Sequence, residues 1–445
     1  MLKRKIDIYL KEWKSNPERK PLVVKGARQV GKSYSIREFG KSFYENFIEL
    51  NFVEDPKYKR IFDDGYDVDS IIKNISLLDP DKKFIPHKTL IFFDELQDCP
   101  SCATSLKFFK TEGRYDVVCS GSMMGINYNE IESNSVGYKQ EYEMFPLDFE
   151  EFLWAKGYDE NIIEDMLGHM KNAVPFSEIE LDTFFRVFKD YMIIGGMPEV
   201  VQEYVKSGNF SGTIDLQRQL LNDYREDIIK YAQGLDKGRI LGFYDNIPIF
   251  LAKENKRYQV TKLSRNARNR EYSGVVDWLR TSGIVNVCYC LDNPELPLKG
   301  NYNSNLYKVY YNDTGLLVAS LDEEAQEDLR VNRNFGTYKG AIYENVVSQM
   351  LRQQGYGLYY YKRENPALEM DFFVRDAKSL VPVEVKASDG ATLSLNRLIE
   401  NDTAYPDIRY GIKLGYKNIG FNGKFYTFPY FVTFLLKRFL RDVSL

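Results

Sequence analysis

The sequence predicts an α/β multidomain protein whose first domain is built on a parallel sheet. Three stretches of the chain lead to this prediction. Residues 26–33 read Gly-Ala-Arg-Gln-Val-Gly-Lys-Ser, which fits the phosphate-binding pattern G-x-x-x-x-G-K-[ST]. About 60 residues later, residues 89–97 read Thr-Leu-Ile-Phe-Phe-Asp-Glu-Leu-Gln, which is typical of a buried parallel strand that ends in acids. A helix-type stretch at residues 340–351, followed by strand-type stretches at 358–362, 369–374 and 381–387, predicts a second α/β domain.

The flanks of the first stretch supply the context that a phosphate-binding loop needs. Residues 22–24 are an apolar run of strand type, and residues 34–39 are expected to begin a helix. Two glycines allow the loop to turn several N–H groups toward one anion, and the helix N-terminus adds partial positive charge. Lys32 would reach the β- and γ-phosphates, and the Ser33 hydroxyl would bind Mg²⁺. The predicted nucleotide contacts are Gly26, Ala27, Arg28, Gln29, Val30, Gly31, Lys32, Ser33 and Tyr34.

Acids and hydroxyls at two further strand ends complete the predicted hydrolytic site. Ligands of open α/β sheets bind at the carboxyl edge of the strands, where Asp94 and Glu95 lie. Asp94 would complete the Mg²⁺ shell, and Glu95 would orient and deprotonate the attacking water. Residues 116–122 form another short strand. The hydroxyl of Ser120 or Ser122 would lie between the γ-phosphate and the water, the alternative being a strand that simply runs into a glycine turn.

Composition bounds the class of protein. The chain has 445 residues and a net charge of −4, so we expect several domains and no global basic field. No apolar run reaches the roughly 18–20 residues that span a bilayer, and the N-terminus lacks the apolar core of a signal peptide. The five cysteines are poorly spaced for disulfides and fit a reducing compartment. Cys99 with Cys102, or Cys288 with Cys290, would be needed for zinc, but the two pairs are far apart in sequence, and we expect ordinary thiols. We therefore expect a cytoplasmic protein without a membrane partner.

Taken together, these stretches resemble the AAA+ ATPases. Residues 144–153 and 194–201 are similar to the end of the core and to the lid of prokaryotic AAA+ ATPases of the AAA_14 type, which carry a C-terminal domain of unknown function, DUF4143. Residues 306–317 resemble the junction motif of that family, and the resemblance covers about residues 18–435. It implies ATP as the nucleotide, with Pro198 near the adenine. The alternative for Gly195–Pro198 is a turn that ends a helix.

One position departs from the family pattern. A Gly-Arg pair usually precedes the Pro-Leu segment, but here Gly137 is followed by Tyr138, and residues 126–150 contain no arginine. An arginine there would stabilise transition-state charge within one subunit or across an interface. Lys139 is the nearest cation, and Arg114 and Arg186 are the remaining alternatives. The departure puts a ring-type mechanism in doubt and leaves a homo-oligomer open.

The family pattern and the composition divide the chain into four predicted domains. They are an AAA+ core (1–155), a helical lid and connector (156–235), a winged-helix-like domain (236–325) and a nuclease-like domain (326–445). Residues 253–280 hold eight Lys or Arg against three acids. A helix-turn-helix at 260–279 would place Arg265, Arg268 and Arg270 near DNA phosphates. The alternative is a solvated basic face on a spacer domain.

The C-terminal pattern is spaced like a restriction-endonuclease-type core, whose signature is Asp followed by Glu-x-Lys. The period of two in Glu384-Val-Lys386 puts both charged side chains on one face of a strand. Asp371 on a neighbouring strand would meet Glu384 and hold a second Mg²⁺ or Mn²⁺, and Glu344 from a helix would complete the metal site. Lys386 would stabilise the water that attacks a phosphodiester, or help to deprotonate it.

The predicted function is a Mg-dependent ATPase coupled to a C-terminal DNA-binding, nuclease-like module. One alternative is a nucleotide-dependent switch or scaffold whose nuclease-like domain cuts nothing and recognises DNA or a protein partner. Another is a chaperone-like or signalling ATPase whose C-terminal domain binds only protein. The pattern of residues leaves all three open.

Overall fold

The computed structural model describes most of the chain, in two compact units. The described residues are 2–123, 135–232, 236–253, 257–258, 269–321, 324–331, 337–365, 367–387 and 390–443. Unit 1 is essentially residues 3–145 with the short segment 281–283, and unit 2 is residues 146–280 with 284–445. The predicted boundaries at 155/156, 235/236 and 325/326 do not coincide with this division.

Unit 1 is a parallel sheet with helices. Its strands are β1 (Leu22–Gly26), β2 (Asn46–Asn51), β3 (Thr89–Asp94), β4 (Asp116–Ser122) and β5 (Gln140–Glu143). Its helices are α1 (Lys5–Ser15), α2 (Lys32–Phe43), α3 (Val68–Leu78) and α4 (Pro100–Glu112). The strand order is β2-β3-β4-β1-β5, and each neighbouring pair is parallel. The predicted parallel-sheet core is therefore confirmed.

Burial follows the apolar patterns of the sequence. Every residue of β3 is buried, as expected of a parallel strand that is covered on both faces. Helix α1 buries Ile6, Leu10 and Trp13, which share one helical face because they are spaced at i, i+4 and i+7. Since all the strands are parallel, the carboxyl ends of β1, β3 and β4 lie at one edge of the sheet. That edge carries the first candidate site.

The first part of unit 2 is helical, as predicted for residues 156–235. Its helices are α5 (Phe149–Ala155), α6 (Glu160–Asn172), α7 (Glu178–Ile194), α8 (Pro198–Ser207), α9 (Thr213–Tyr231), α10 (Lys237–Asp245), α11 (Ile247–Leu251) and α12 (Asn269–Thr281). Helix α12 covers the second half of the predicted helix-turn-helix. Residues 259–268, which include Arg265 and Arg268, and the side chain of Arg270 lie outside the described part of the chain, so the predicted DNA contacts stay predictions.

A four-stranded sheet joins two of the predicted domains. Its strands are β6 (Val285–Leu291), β7 (Tyr302–Tyr311), β8 (Leu358–Arg363) and β9 (Leu368–Met370), in the order β7-β6-β8-β9. Strands β6 and β7 pair antiparallel, as the predicted wing requires. However, β6 also pairs with β8. The hydrogen bonds of one sheet therefore cross the predicted boundary at 325/326.

The rest of unit 2 contains a second sheet and the helices around it. The strands are β10 (Phe372–Arg375), β11 (Leu380–Val385), β12 (Gly411–Gly415), β13 (Gly420–Phe421) and β14 (Phe425–Pro429), in the order β10-β11-β12-β14-β13. The helices are α13 (Thr314–Ala319), α14 (Ala325–Arg330), α15 (Thr337–Gln353), α16 (Leu393–Glu400) and α17 (Leu436–Val443). Among the described residues, we find no helix with the length and apolar character needed to cross a membrane.

Candidate nucleotide site and C-terminal charged cluster

The phosphate-binding stretch forms the turn between β1 and α2. Gly31 caps α2 with a left-handed backbone, φ 93°, and the helix begins at Lys32. A Cβ on Gly26 would lie 2.2 Å from the carbonyl oxygen of Met144, so only glycine fits there. The backbone thus enters a helix N-terminus, which is a geometry that binds anions. The remaining loop residues range from exposed to buried: Gln29 and Tyr34 are exposed, Arg28 is half-buried, and Ala27 and Val30 are buried.

Lys32 is buried at the start of α2. Its Nζ donates to the carbonyl oxygens of Ala27 at 2.7 Å and of Gly26 at 3.2 Å. Burial lowers the pKa of Lys32 to about 8, although the carboxylates of Glu95 and Asp94 partly oppose this shift. The structure thus holds a lysine whose charge is poorly stabilised until a stronger anion arrives.

The lowered pKa of Lys32 predicts proton uptake when a nucleoside triphosphate binds. Phosphate oxygens stabilise the ammonium and raise its pKa back. Binding should therefore take up about half a proton at pH 8 and more at higher pH, whereas binding at pH 6.5 takes up almost none. Affinity should therefore fall as the pH rises through 8. Calorimetric titration at pH 8.5 in two buffers with different ionisation enthalpies measures the uptake. An equal heat of binding in both buffers would contradict this expectation, and Lys32→Arg, which stays charged, is the control.

Asp94 is the centre of the polar contacts at the end of β3. It is buried, and its Oδ1 accepts from Ser33 Oγ at 2.9 Å and from Ser120 Oγ. The Oδ2 of Asp94 lies 3.4 Å from Asn51 Nδ2 and 3.7 Å from Arg37 Nη2. The predicted pair Ser33 and Asp94 is therefore brought together, and Ser120 is the hydroxyl that joins it.

Glu95 lies next to this centre on an unusual backbone. Its φ of 60° and ψ of 50° are rare for a residue other than glycine, and such strain clusters at functional sites. The side-chain amide of Gln97 donates to Glu95 Oε2, and Oε1 of Gln97 accepts the backbone N–H of Ser122 at 3.1 Å. Gln97 thus connects the predicted base to the end of β4. In this contact Ser122 uses its backbone N–H rather than the hydroxyl that the sequence suggested.

Four residues of the site carried no recognised sequence signal. Asn51 pairs in register with Asp94 across β2 and β3, and a polar residue at the end of a strand beside β3 was the available clue. Gln97 follows the acids directly. Arg37 donates to Glu49 at 2.8 Å. Buried Arg4, far away in sequence, donates to the carbonyls of Val30 and Phe145 at 2.9 and 2.8 Å and so holds the loop.

The three alternative cations from the sequence occupy different surroundings. Arg114 forms ion pairs with Asp69 at 2.5 Å and with Glu112. Lys139 pairs with Glu141 at 3.0 Å. Arg186 lies on α7 with an exposed side chain. Arg37 is the arginine that approaches the Asp94 carboxylate within unit 1.

The predicted lid motif is a tight junction within unit 2. Gly195 ends α7, and Pro198 is the first residue of α8, as the turn interpretation expects. The backbone N–H of Gly196 donates to Asp313 Oδ2 at 2.6 Å. Burial raises the pKa of Asp313 to about 6, against the lowering effect of three backbone N–H donors. The adenine contact of Pro198 stays a prediction.

The C-terminal acids occupy neighbouring strands. Glu384 on β11 is buried, and its Oε1 lies 2.9 Å from Lys386 Nζ. Its Oε2 is buried without a hydrogen-bond partner among the described residues, and burial raises the pKa of Glu384 although Lys386 opposes this. Asp371, just before β10, accepts the N–H of Val385 at 2.8 Å.

Lys308 on β7 enters the same region, which no sequence pattern indicated. It is 1% exposed, and its Nζ lies 3.6 Å from Glu344 and 3.5 Å from Glu369. Glu344 also accepts from the hydroxyl of Tyr310 at 3.0 Å. Burial alone would lower the pKa of Lys308, but the surrounding carboxylates, above all Glu344, raise it, so the ammonium stays charged. Lys308 and its two carboxylates are called the Lys308 cluster below.

The three predicted ligands of a second metal do not converge closely. In the described part of the chain, three potential ligand atoms lie within 4.8 Å of one another only in the group of Asp165, His169 and Glu180. Glu344, Asp371 and Glu384 therefore do not meet as a compact triad. The physical reason is that the carboxylate of Glu344 is held by Lys308 and Tyr310.

Comparison with protein families assigns both ends of the chain. Residues 18–153 match an AAA domain, AAA_14, and residues 339–431 match the domain of unknown function DUF4143. The chain thus contains an AAA domain and a DUF4143 domain. The family predicted from the sequence is thus confirmed, and unit 1 holds a P-loop, ATP-binding domain of the ATPase class. Between them, residues 186–327 match another domain of unknown function, DUF8612, which spans the predicted boundary at 235/236.

Two curated relatives share most of this length. An uncharacterized protein of Haemophilus influenzae is 24% identical over 418 residues, which is 91% of this chain and 89% of that protein. The uncharacterized protein MJ1544 of Methanocaldococcus jannaschii is 24% identical over 372 residues, which is 81% of this chain and 74% of that protein.

Two solved structures illustrate how far this chain can be aligned with known ones. The Walker-type ATPase PABY2304 of Pyrococcus abyssi aligns with 72% of this chain and 96% of its own, at 14% identity and a TM-score of 0.43. AMPPCP-bound DnaA from Aquifex aeolicus aligns with 61% of this chain and 85% of its own, at 12% identity and a TM-score of 0.28. Both TM-scores are below 0.5.

Proposed function

We propose that the AAA+ domain binds ATP with Mg²⁺ and hydrolyses it. The observation that carries this proposal is the side-by-side placement of Ser33 and Asp94, 2.9 Å apart, beside the buried amine of Lys32. A hydroxyl and a carboxylate are hard oxygen donors, which suit Mg²⁺. Ser33 and Asp94 would hold the ion, which would supply charge neutralisation at the phosphate oxygens.

The residues of this chain have separate roles in the proposed reaction. Lys32 exchanges its two carbonyl partners for phosphate oxygens, and the loop N–H groups hold the same phosphates. Glu95 accepts the proton of the attacking water, and Gln97 orients the Glu95 carboxylate. Positioning and electrostatic stabilisation thereby supply the catalysis.

Phosphate release from ATP tests the proposal. The wild-type protein with Mg²⁺ should release phosphate, and Lys32→Ala should abolish both release and nucleotide binding because it removes the phosphate ligand of the loop. Wild-type protein that binds ATP and never releases phosphate, alone or with DNA, would contradict hydrolysis and leave a binding switch.

We further propose that the DUF4143 region is a nuclease-like module that engages DNA. Asp371 and Glu384, on the paired strands around β10 and β11, support this proposal, with the ammonium of Lys386 beside them. The buried, unpartnered Oε2 of Glu384 suits a cation ligand.

A second candidate is a module of the same kind that recognises DNA or a protein without cutting. The Lys308 cluster favours it. The buried ammonium of Lys308 lies 3.6 Å from Glu344 and supplies the positive charge that a divalent ion would otherwise bring. Glu344 is then not available as a metal ligand.

A plasmid-cleavage assay separates the two candidates. Wild type, Asp371→Ala and Lys386→Ala are incubated with Mg²⁺ or Mn²⁺, with and without ATP. Cleavage that both substitutions abolish supports the nuclease, and no cleavage under any nucleotide condition supports the non-cutting module. Mobility shift of DNA at two salt concentrations tests the DNA contact, because binding through Lys and Arg weakens steeply with salt.

A further inference from the structure

A three-residue group on the helical hairpin α6–α7 has the chemistry of a metal site. It consists of Asp165 and His169, one turn apart on α6, and Glu180 in the first turn of α7. One ligand atom from each lies within 4.8 Å of the others. These residues belong neither to the nucleotide site nor to the C-terminal acids.

The histidine is fixed in the orientation that a metal ligand needs. Its Nδ1 lies 3.0 Å from the carbonyl oxygen of Val174. A carbonyl only accepts, so Nδ1 carries the hydrogen, and Nε2 of the uncharged ring offers its lone pair. A backbone carbonyl behind the ring is the usual outer partner of a metal-binding histidine. The ring also stacks on Phe176 with 4.5 Å between the centroids.

The two carboxylates lie slightly farther from the imidazole than two ligands of one metal ion would. His169 Nε2 lies 3.8 Å from Asp165 Oδ2 and 3.9 Å from Glu180 Oε1, which is too long for a hydrogen bond. Two metal bonds of about 2.1 Å at a tetrahedral angle would separate their ligand atoms by roughly 3.4 Å. For these two pairs, a closure of about half an ångström suffices, and the third pair lies within 4.8 Å.

The surroundings hold these groups in place. Glu180 Oε2 accepts from the backbone N–H and the hydroxyl of Ser177 in a capping box, at 2.7 and 2.6 Å, which leaves Oε1 for the cluster. The side chain of Asn418 binds both the N–H and the carbonyl of Phe176, at 2.9 and 2.7 Å. Glu180 and the segment before α7 are thereby restrained, while the side chain of Asp165 is 62% exposed and would swing onto the ion.

We propose that Asp165, His169 and Glu180 bind one Zn²⁺ ion, which links α6 to α7. One imidazole and two carboxylates suit zinc, and water completes the coordination. The ion acts on the hairpin and takes no part in ATP hydrolysis. Because it binds the folded hairpin, it raises the thermal stability of the protein.

Titration of the full-length protein with Zn²⁺ against a chromophoric chelator tests the site, with the five cysteines kept reduced and nucleotide absent. We expect one ion per chain, with affinity at least about tenfold weaker in His169→Gln and in Glu180→Gln. Glu180→Gln is informative because glutamine preserves the capping box, so its loss of affinity cannot come from unfolding of the helix end. His87→Asn removes the other histidine and should change nothing.

Thermal unfolding supplies the second measurement. Zn²⁺ should raise the midpoint of the wild type and of His87→Asn but not of His169→Gln. Zinc binding that persists unchanged in His169→Gln would place the ion elsewhere, on thiols or on the nucleotide-site acids, and would overturn the proposal. Absence of stoichiometric binding by the wild type would overturn it as well.

Discussion

Glu95→Gln is expected to lower the turnover number for ATP by about 10²–10⁴-fold, the usual contribution of a general base. Glutamine keeps the size of the side chain and cannot take a proton from water. Asp94, Ser33 and Lys32 keep their contacts, so the affinity for ATP should stay near that of the wild type. Steady-state phosphate release and equilibrium binding of a fluorescent ATP analogue measure the two quantities separately.

Gln97→Ala is the matched variant for this experiment. It leaves the base in place and removes the amide that joins Glu95 to the N–H of Ser122. A misplaced base lowers the rate by about 10-fold to 100-fold, so the turnover number should fall less than in Glu95→Gln. The affinity for ATP should again change little. Undiminished turnover in Glu95→Gln would contradict the base assignment, and undiminished turnover in Gln97→Ala would contradict the orienting role.

Gly196→Ala is expected to destabilise unit 2 by about 3 kcal/mol, at the upper end of what overpacking costs. The added Cβ would lie 2.1 Å from the carbonyl oxygen of Leu147, and this atom is backbone that cannot rotate away. The N–H of Leu147 also donates to the carbonyl of Gly196 at 2.6 Å, and the N–H of Gly196 donates to Asp313. Any shift that relieves the clash therefore weakens a buried hydrogen bond.

Urea titration followed by circular dichroism measures this loss. Gly168→Ala is the matched control, because Gly168 is an interior residue of α6 and a Cβ added to it would have no atom within 4 Å. Alanine in a helix interior should stabilise the protein by about 0.5–1 kcal/mol. Equal midpoints for Gly196→Ala and the wild type would show that the junction between α7 and α8 is looser than its distances indicate.

The nucleotide site was predictable because its signals are local in sequence. The loop at 26–33 and the strand ending at Asp94 each fit a short pattern, and parallel strands bring their carboxyl ends to one edge whatever the loops between them do. Helix α1 was equally predictable from the spacing of Ile6, Leu10 and Trp13. The role of Arg4 was not predictable, because its partner Val30 is 26 positions away and no local pattern around either residue indicates the hydrogen bond.

The strand pairing within unit 2 was harder to predict, because the pairing of distant segments in one sheet produces no periodic pattern in the sequence. Strand β7, at residues 302–311, pairs with β6. Nothing in it reveals that β6 also pairs with β8, about 70 residues further on. The partners of Lys308 depend on that pairing, which is why a lysine within a recognised motif was left without a chemical role.

The buried ammonium of Lys308 has a consequence for how the acids around it are read. Glu344 and Glu369 are its counter-ions, and Glu344 is the buried one. Removing Glu344 leaves an uncompensated buried charge, which destabilises a protein by about 3–5 kcal/mol. Selection for folding alone therefore suffices to retain Glu344, in chains that cut nucleic acid and in chains that do not. In proteins of this architecture that carry a lysine at the position of Lys308, an acid at the position of Glu344 is explained by charge neutralisation. Its presence alone is therefore not evidence of catalysis.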